Sequence, residues 1–180
     1  MEREARLVWI DLEMTGLNPA KDRIIEIATV ITDDTLTLIE EGPSRIIQCD
    51  DSFLRSMSSQ VVEMHTKSGL LEKVRASDVS LQQAERDTAA FIKSHCSSGK
   101  SVLCGNSIWT DRMFLQAYMP RVTELLHYRM IDVTSVKELV ARWYSNDPDV
   151  EYNKRETHRA LDDIRESIAE LKHYRRYFFV

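Results

Sequence analysis

The chain has 180 residues, 43% of them hydrophobic and 29% charged, which excludes disorder and fits one folded domain over residues 1–180 with a single sizeable core. Its formal net charge of -5 speaks against a broad basic surface that grips long nucleic-acid duplexes. No apolar run approaches the ~20 residues that span a bilayer, and Cys49, Cys96 and Cys104 lack the Cys-x-x-Cys spacing of a zinc knuckle.

In chain order, the charged start from Met1 to Arg6 lacks the apolar region of a signal peptide. Together with an odd number of cysteines, read as free thiols, it predicts a cytoplasmic protein. Leu7-Val8-Trp9-Ile10 reads as a buried strand that continues into Asp11 and Glu13. Side chains alternate along a strand, so these two acids project to one side with Cα atoms roughly 6.6 Å apart. That spacing lets them converge on one hard cation, or on a pair about 4 Å apart. Carboxylates in an apolar strand are costly unless something positive compensates them. Thr15-Gly16 ends the strand.

Ile24 to Thr32, rich in β-branched residues, reads as a second strand, with Glu26 taken as structural rather than as a ligand. Asp33-Asp34 signals a turn, Thr35 to Ile39 a third strand, and Gly42-Pro43 a break before extended structure resumes over Arg45 to Gln48. Asp51 to Ala76 predicts two or three short helices. Leu81, Ala84, Thr88, Phe91 and Ile92 share one face of a helix that Ser80 and Gln83 start as a capping box. Ser101 to Gly105 follows as a strand, and Asn106 to Met119 as a turn leading into a helix that Pro120 stops. Tyr128 to Val133 is a further strand, and a helix starts at Thr134. Ser145 to Glu156 is a polar loop, and Thr157 is placed as the cap of a last helix running to about Tyr177. A meander followed by alternating strands and helices gives an α/β domain with a mixed sheet flanked by helices.

Two later regions bear on chemistry. Asp111 falls in the first turn of its helix, where the dipole favours an acid whatever its role. In the last helix Asp162 and Asp163 are adjacent, and 100° per residue separates them. Leu161, Ile164, Ile168 and Leu171 define the buried stripe; Asp162 lies with Arg165, Glu166 and His173 on the wet face, and Asp163 flanks the stripe. The phase leans toward Asp163. His158 sits where the dipole and a nearby cation oppose protonation while carboxylates favour it, and a neutral imidazole there acts as a general base near neutral pH.

Three segments carry a family resemblance: Asp11-Leu12-Glu13-Met14-Thr15-Gly16-Leu17, Gly105-Asn106-Ser107 with Asp111-Arg112 and Phe114-Leu115, and Thr157-His158-Arg159-Ala160-Leu161-Asp162-Asp163. They resemble the motifs of the DEDD exonucleases, specifically the oligoribonucleases, over nearly the whole chain. The resemblance implies a ribonuclease H-like fold and metal binding by Asp11, Glu13, Asp111 and Asp163, with Asp163 again preferred by the His-x-x-x-x-Asp pattern. Such a carboxylate set carries about -4 and repels a phosphodiester unless cations intervene; two divalent ions balance it, and all-oxygen ligands favour Mg²⁺ or Mn²⁺.

By the same resemblance Leu17 packs against a base, and His65, Ser107, Arg129 and Thr134 surround a terminal 5′ phosphate. Tyr128 is supplied to the site across a homodimer. Two departures stand out: Gln60 occupies the place of a base-stacking Trp, and Trp109 that of a small residue. The implied activity is 3′→5′ hydrolysis of short RNA, dinucleotides above all, to 5′-mononucleotides. The rivals are a DNA proofreading or repair exonuclease and a catalytically silent nucleic-acid-binding subunit, the latter expected to lack a motif carboxylate.

Overall fold

The computed structural model describes residues 6–154 and 157–179; the charged start at residues 1–5, and residues 155, 156 and 180, lie outside the described residues. A five-stranded sheet has the order β3-β2-β1-β4-β5. β1 (Leu7–Met14) pairs antiparallel with β2 (Ile24–Thr32), which pairs antiparallel with β3 (Leu38–Ile46). On its other side β1 runs parallel to β4 (Val102–Gly105), and β4 parallel to β5 (Met130–Asp132). β2 is buried along its whole length, as its run of β-branched residues leads one to expect.

Helices α1 (Asp51–Ser56), α2 (Ser59–Lys67), α3 (Leu70–Ala76) and α4 (Leu81–His95) follow the meander. Further along come α5 (Ile108–Tyr118), α6 (Pro120–Thr123), α7 (Val133–Trp143), a 3-10 turn at Pro148–Val150 and α8 (Ala160–Phe178). Alternation along β1 divides the core between the two faces of the sheet. Val8, Ile10 and Leu12 pack with Ala84 and Ile92 of α4 and with Phe114 and Leu115 of α5. Leu7 and Trp9 pack with Val133 and Val140 of α7 and with Ile164 and Tyr174 of α8. Asp11 and Glu13 continue the second face, the one that α8 covers.

Three elements, β3, β5 and α8, differ in extent from the sequence reading. β3 runs unbroken through Gly42-Pro43, because as an edge strand it tolerates a missing N–H. Ala28 pairs with Ser44 and Val30 with Glu41, so Gly42 and Pro43 together oppose Thr29 in a bulge. A Cβ on Gly42 would meet the Phe91 ring at 2.4 Å, so only glycine admits that ring. Thr35 and Thr37 belong to the preceding turn, their backbone N–H groups donating to Asp33 Oδ1 at 2.8 Å each.

The last helix starts at Ala160, not at Thr157, since His158 adopts a left-handed φ of 51° that a helix cannot continue through. Finally, the fifth strand holds only Met130–Asp132, leaving Tyr128 and Arg129 on an exposed approach to it.

Candidate active site

Three elements converge on the carboxyl end of β1. Asp11 and Glu13 project from its α8 face. β4, its parallel neighbour, ends at Gly105, and the chain turns through Ser107 at a left-handed φ of 47° into α5. The first turn of α5 buries Asp111, whose Oδ1 accepts the backbone N–H of Leu12 at 2.9 Å, pinning that carboxylate between Asp11 and Glu13 in the chain. The first turn of α8 then supplies Asp163. Glu13, His158 and Asp163 each offer a ligand atom, and these atoms all lie within 4.8 Å of one another. Asp11, His158 and Asp163 also line a common cavity of about 200 Å³ with Asn106, Lys154 and Ser167. Asp162 takes no part: half-exposed, it accepts from Arg165 at 3.0 Å.

The electrostatics are those of acids crowded out of water. Burial, then Asp111, Glu13, Asp163 and Glu26, hold the Asp11 carboxyl well above the usual range. Burial followed by Asp163, Glu26 and Asp111 pushes Glu13 up to about 8, against a pull downward from Arg159. Asp111 rises to about 7, chiefly through burial, even though the Leu12 N–H favours its ionised form. Asp163 is raised by burial, with His158 opposing. Such a group ionises fully only when positive charge arrives, and its oxygens suit a hard divalent ion.

Glu26, read from sequence as structural, faces Glu13 across the β1–β2 pair and is buried. It receives a fork from Arg159, Nε to Oε2 at 3.1 Å and Nη2 to Oε1 at 2.8 Å. The pair anchors the residue that follows His158. Sequence reasoning missed Arg159, because 133 positions separate the partners and neither has a local signature. Arg159→Met strands a buried carboxylate beside Glu13 and is expected to destabilise the protein by about 3–5 kcal/mol. Denaturant unfolding is the measurement, with Arg159→Met/Glu26→Gln recovering most of the loss; equal midpoints for Arg159→Met and the parent would contradict it.

Two of the residues expected around a 5′ phosphate are in direct contact. Ser107 and Thr134 meet, the Ser107 N–H donating to Thr134 Oγ1 at 2.9 Å and to Asp132 Oδ1 at 2.9 Å. Arg129 is exposed beside Tyr128, its Nε donating to the phenol oxygen at 3.2 Å. His65, expected in the same group, makes its ring contacts to Met14 and Glu13. It is fully buried on α2, donating from Nε2 to the Met14 carbonyl at 2.9 Å, with Nδ1 at 3.8 Å from Glu13 Oε2. Burial lowers its pKa and favours the neutral imidazole beside Glu13.

Leu17 is 74% exposed on the turn after β1. That turn closes on Asp22, whose Oδ2 accepts the Asn18 N–H at 2.9 Å and lies 2.5 Å from where a Cβ on Gly16 would sit. Gln60 lines a cavity of about 790 Å³ with Met64, Lys67 and His158. Tyr128 and Trp109 are both exposed aromatic side chains.

The sequence profile of the RNase T exonuclease family matches residues 8–171. The oligoribonuclease of Dichelobacter nodosus is 47% identical over 180 residues, covering 100% of this chain and 98% of that protein. That of Shewanella loihica is 51% identical over 176 residues (98% and 97%), and that of Escherichia coli K12 49% identical over 175 (97% and 96%). Among solved structures, E. coli exonuclease I in complex with a dT13 oligonucleotide superposes with a TM-score of 0.72 at 16% identity, covering 96% of this chain and 41% of that one. Exonuclease I from Methylocaldum szegediense gives 0.70 at 17%, covering 97% and 41%. The chain thus spans about two fifths of those exonucleases, and at such identity the likeness is one of fold, the ribonuclease H-like mixed sheet. Similarity that runs end to end at about half identity is far narrower than a shared fold, and by it the chain belongs to the oligoribonuclease family of exonucleases.

Proposed function

We propose that this protein is a 3′→5′ exoribonuclease that hydrolyses very short RNAs, dinucleotides above all, to 5′-mononucleotides, acting in the cytoplasm as a homodimer. The observation that carries the reading is the meeting of Glu13, His158 and Asp163, from two distant segments, beside Asp11 and Asp111. Asp11, Glu13, Asp111 and Asp163 fit a pair of Mg²⁺ or Mn²⁺ ions, because their raised pKa values mark a site that lacks compensating charge. When bound, the ions supply charge stabilisation to the phosphodiester and acidify the attacking water.

The chain's own residues do the rest. His158 accepts a proton from that water as its oxygen bonds to phosphorus. The P–O3′ bond breaks, and the departing 3′ oxygen takes up a proton, so a dinucleotide plus water becomes two 5′-mononucleotides. Ser107, Arg129 and Thr134 receive the terminal 5′ phosphate, Leu17 packs against a base, and Tyr128 completes the partner's site. The test is digestion of end-labelled RNAs of two to seven nucleotides with Mg²⁺ or with EDTA. Cleavage from the 3′ end, fastest for dinucleotides and abolished by EDTA, is expected. Equal rates on DNA and RNA would favour the repair-type exonuclease instead.

Arg129 gives this reading its sharpest check. A charge-assisted hydrogen bond contributes ~1.5–3 kcal/mol, so Arg129→Ala is expected to slow 5′-phosphorylated dinucleotides roughly 10–100-fold and to flatten the length preference. Tyr128→Ala should inactivate without unfolding, and mixing it with Asp11→Asn subunits should restore part of the activity. Absence of rescue on subunit exchange would remove Tyr128 from the partner's site.

A further inference from the structure

Glu170 lies seven residues after Asp163 on α8 and is completely buried. Its oxygens are fully engaged. Oε1 accepts the Tyr174 hydroxyl at 3.0 Å and lies 3.9 Å from Lys137 Nζ. Oε2 accepts Asn106 Nδ2 at 3.1 Å and pairs with Lys154 Nζ at 2.5 Å. The amide of Asn106 also donates to Ser167 at 2.7 Å, and its oxygen accepts the Thr134 hydroxyl at 3.1 Å. A buried ion pair is weak evidence of a stabilising role, since well-packed apolar side chains of like volume often replace one with little loss.

Lys154 lines the cavity with Asp11, His158 and Asp163. An ammonium on a four-carbon stem next to crowded carboxylates is a competitor for any divalent ion they are meant to hold. Glu170 gives it another partner.

We infer that Glu170 is a positioning residue that sequesters Lys154, keeping its ammonium off Asp11 and Asp163 so that these carboxylates stay open to divalent cations. The inference rests on the reading of the four carboxylates as a metal site.

Mn²⁺ titration calorimetry on the full chain tests it, with melting in EDTA to confirm folding. Glu170→Gln keeps partners for Asn106 and Tyr174 but releases Lys154. It is expected to weaken Mn²⁺ binding about tenfold or more. Lys154→Met should bind Mn²⁺ at least as tightly as the parent, and Glu170→Gln/Lys154→Met should return to the affinity of Lys154→Met. That rescue is what a merely structural Glu170 would not give. Parental affinity in Glu170→Gln, or a double variant as weak as Glu170→Gln, overturns the inference. Should Glu170→Gln fail to fold, weaker binding by Lys154→Met alone overturns it. A parent protein that binds no Mn²⁺ refutes the metal-site reading itself.

Discussion

Asp163→Asn should cut dinucleotide turnover by about 10²–10⁴-fold, as expected for loss of a group that supports several kcal/mol of transition-state charge stabilisation, whereas Asp162→Asn should stay within a few-fold of the parent. The two acids are chain neighbours with opposite surroundings. Asp163 meets Glu13 and His158, while Asp162 points outward to Arg165. Asp11→Asn, Glu13→Gln and Asp111→Asn are expected to be as severe as Asp163→Asn, and Asn at position 111 retains an oxygen for the Leu12 N–H, so that variant should fold. An active Asp163→Asn with a dead Asp162→Asn would reverse the assignment.

The same carboxylates predict a pH effect whose sign follows from their raised values. Glu13 stands at about 8 in the folded chain against 4.5 for an exposed Glu. Between those limits the folded state holds a proton that the unfolded state has lost, so this contribution to stability declines as pH rises through the window. In EDTA, Glu13→Gln should therefore melt above the parent near pH 8 and close to it near pH 5. Divalent ions bind the ionised form, so the gain in Tm on adding Mg²⁺ should grow across the same range. Scanning calorimetry reads both, and a Mg²⁺ shift that shrinks with rising pH would contradict the arrangement.

His158→Ala is expected to lower kcat by ~10²–10⁴-fold, the usual range for a positioned general base, with little change in Mn²⁺ affinity. The backbone at His158 sharpens the test. Its φ of 51° is a conformation that residues other than glycine adopt at a cost of roughly 1 kcal/mol or more. The fork from Arg159 to Glu26 holds the next residue in place and so sustains that conformation. His158→Gly should consequently raise the melting temperature while losing turnover as His158→Ala does, separating the function of the imidazole from the strain of holding it. If either variant lost Mn²⁺ binding together with activity, His158 would be a ligand instead of the base.

Much of this site was legible without coordinates because its signals are periodic and local. A two-residue repeat places Asp11 and Glu13 on one side of a strand, and the structure puts them on the face of Leu7 and Trp9 that α8 covers. A rotation of 100° per residue separates Asp163 from Asp162, and their surroundings differ as that phase requires. The start of α4 at Ser80, whose hydroxyl accepts the Gln83 N–H at 3.2 Å, was readable for the same reason.

Tertiary structure alone decided the rest. The passage of β3 through Gly42-Pro43 depends on its edge position and on a bulge against β2, neither of which is encoded in those two residues. The left-handed His158, and with it the late start of α8, depends on contacts that arrive from β2. Asp111 reaches the Leu12 N–H across 99 positions, Arg159 reaches Glu26 across 133, and Asn106 reaches Glu170 across 64. Periodicity records which face of an element is buried, because each residue there answers to its neighbours along the chain. A buried polar side chain answers to whichever donor or acceptor the completed packing brings within about 3 Å, and that partner is unknown until strands and helices from opposite ends of the sequence have come together.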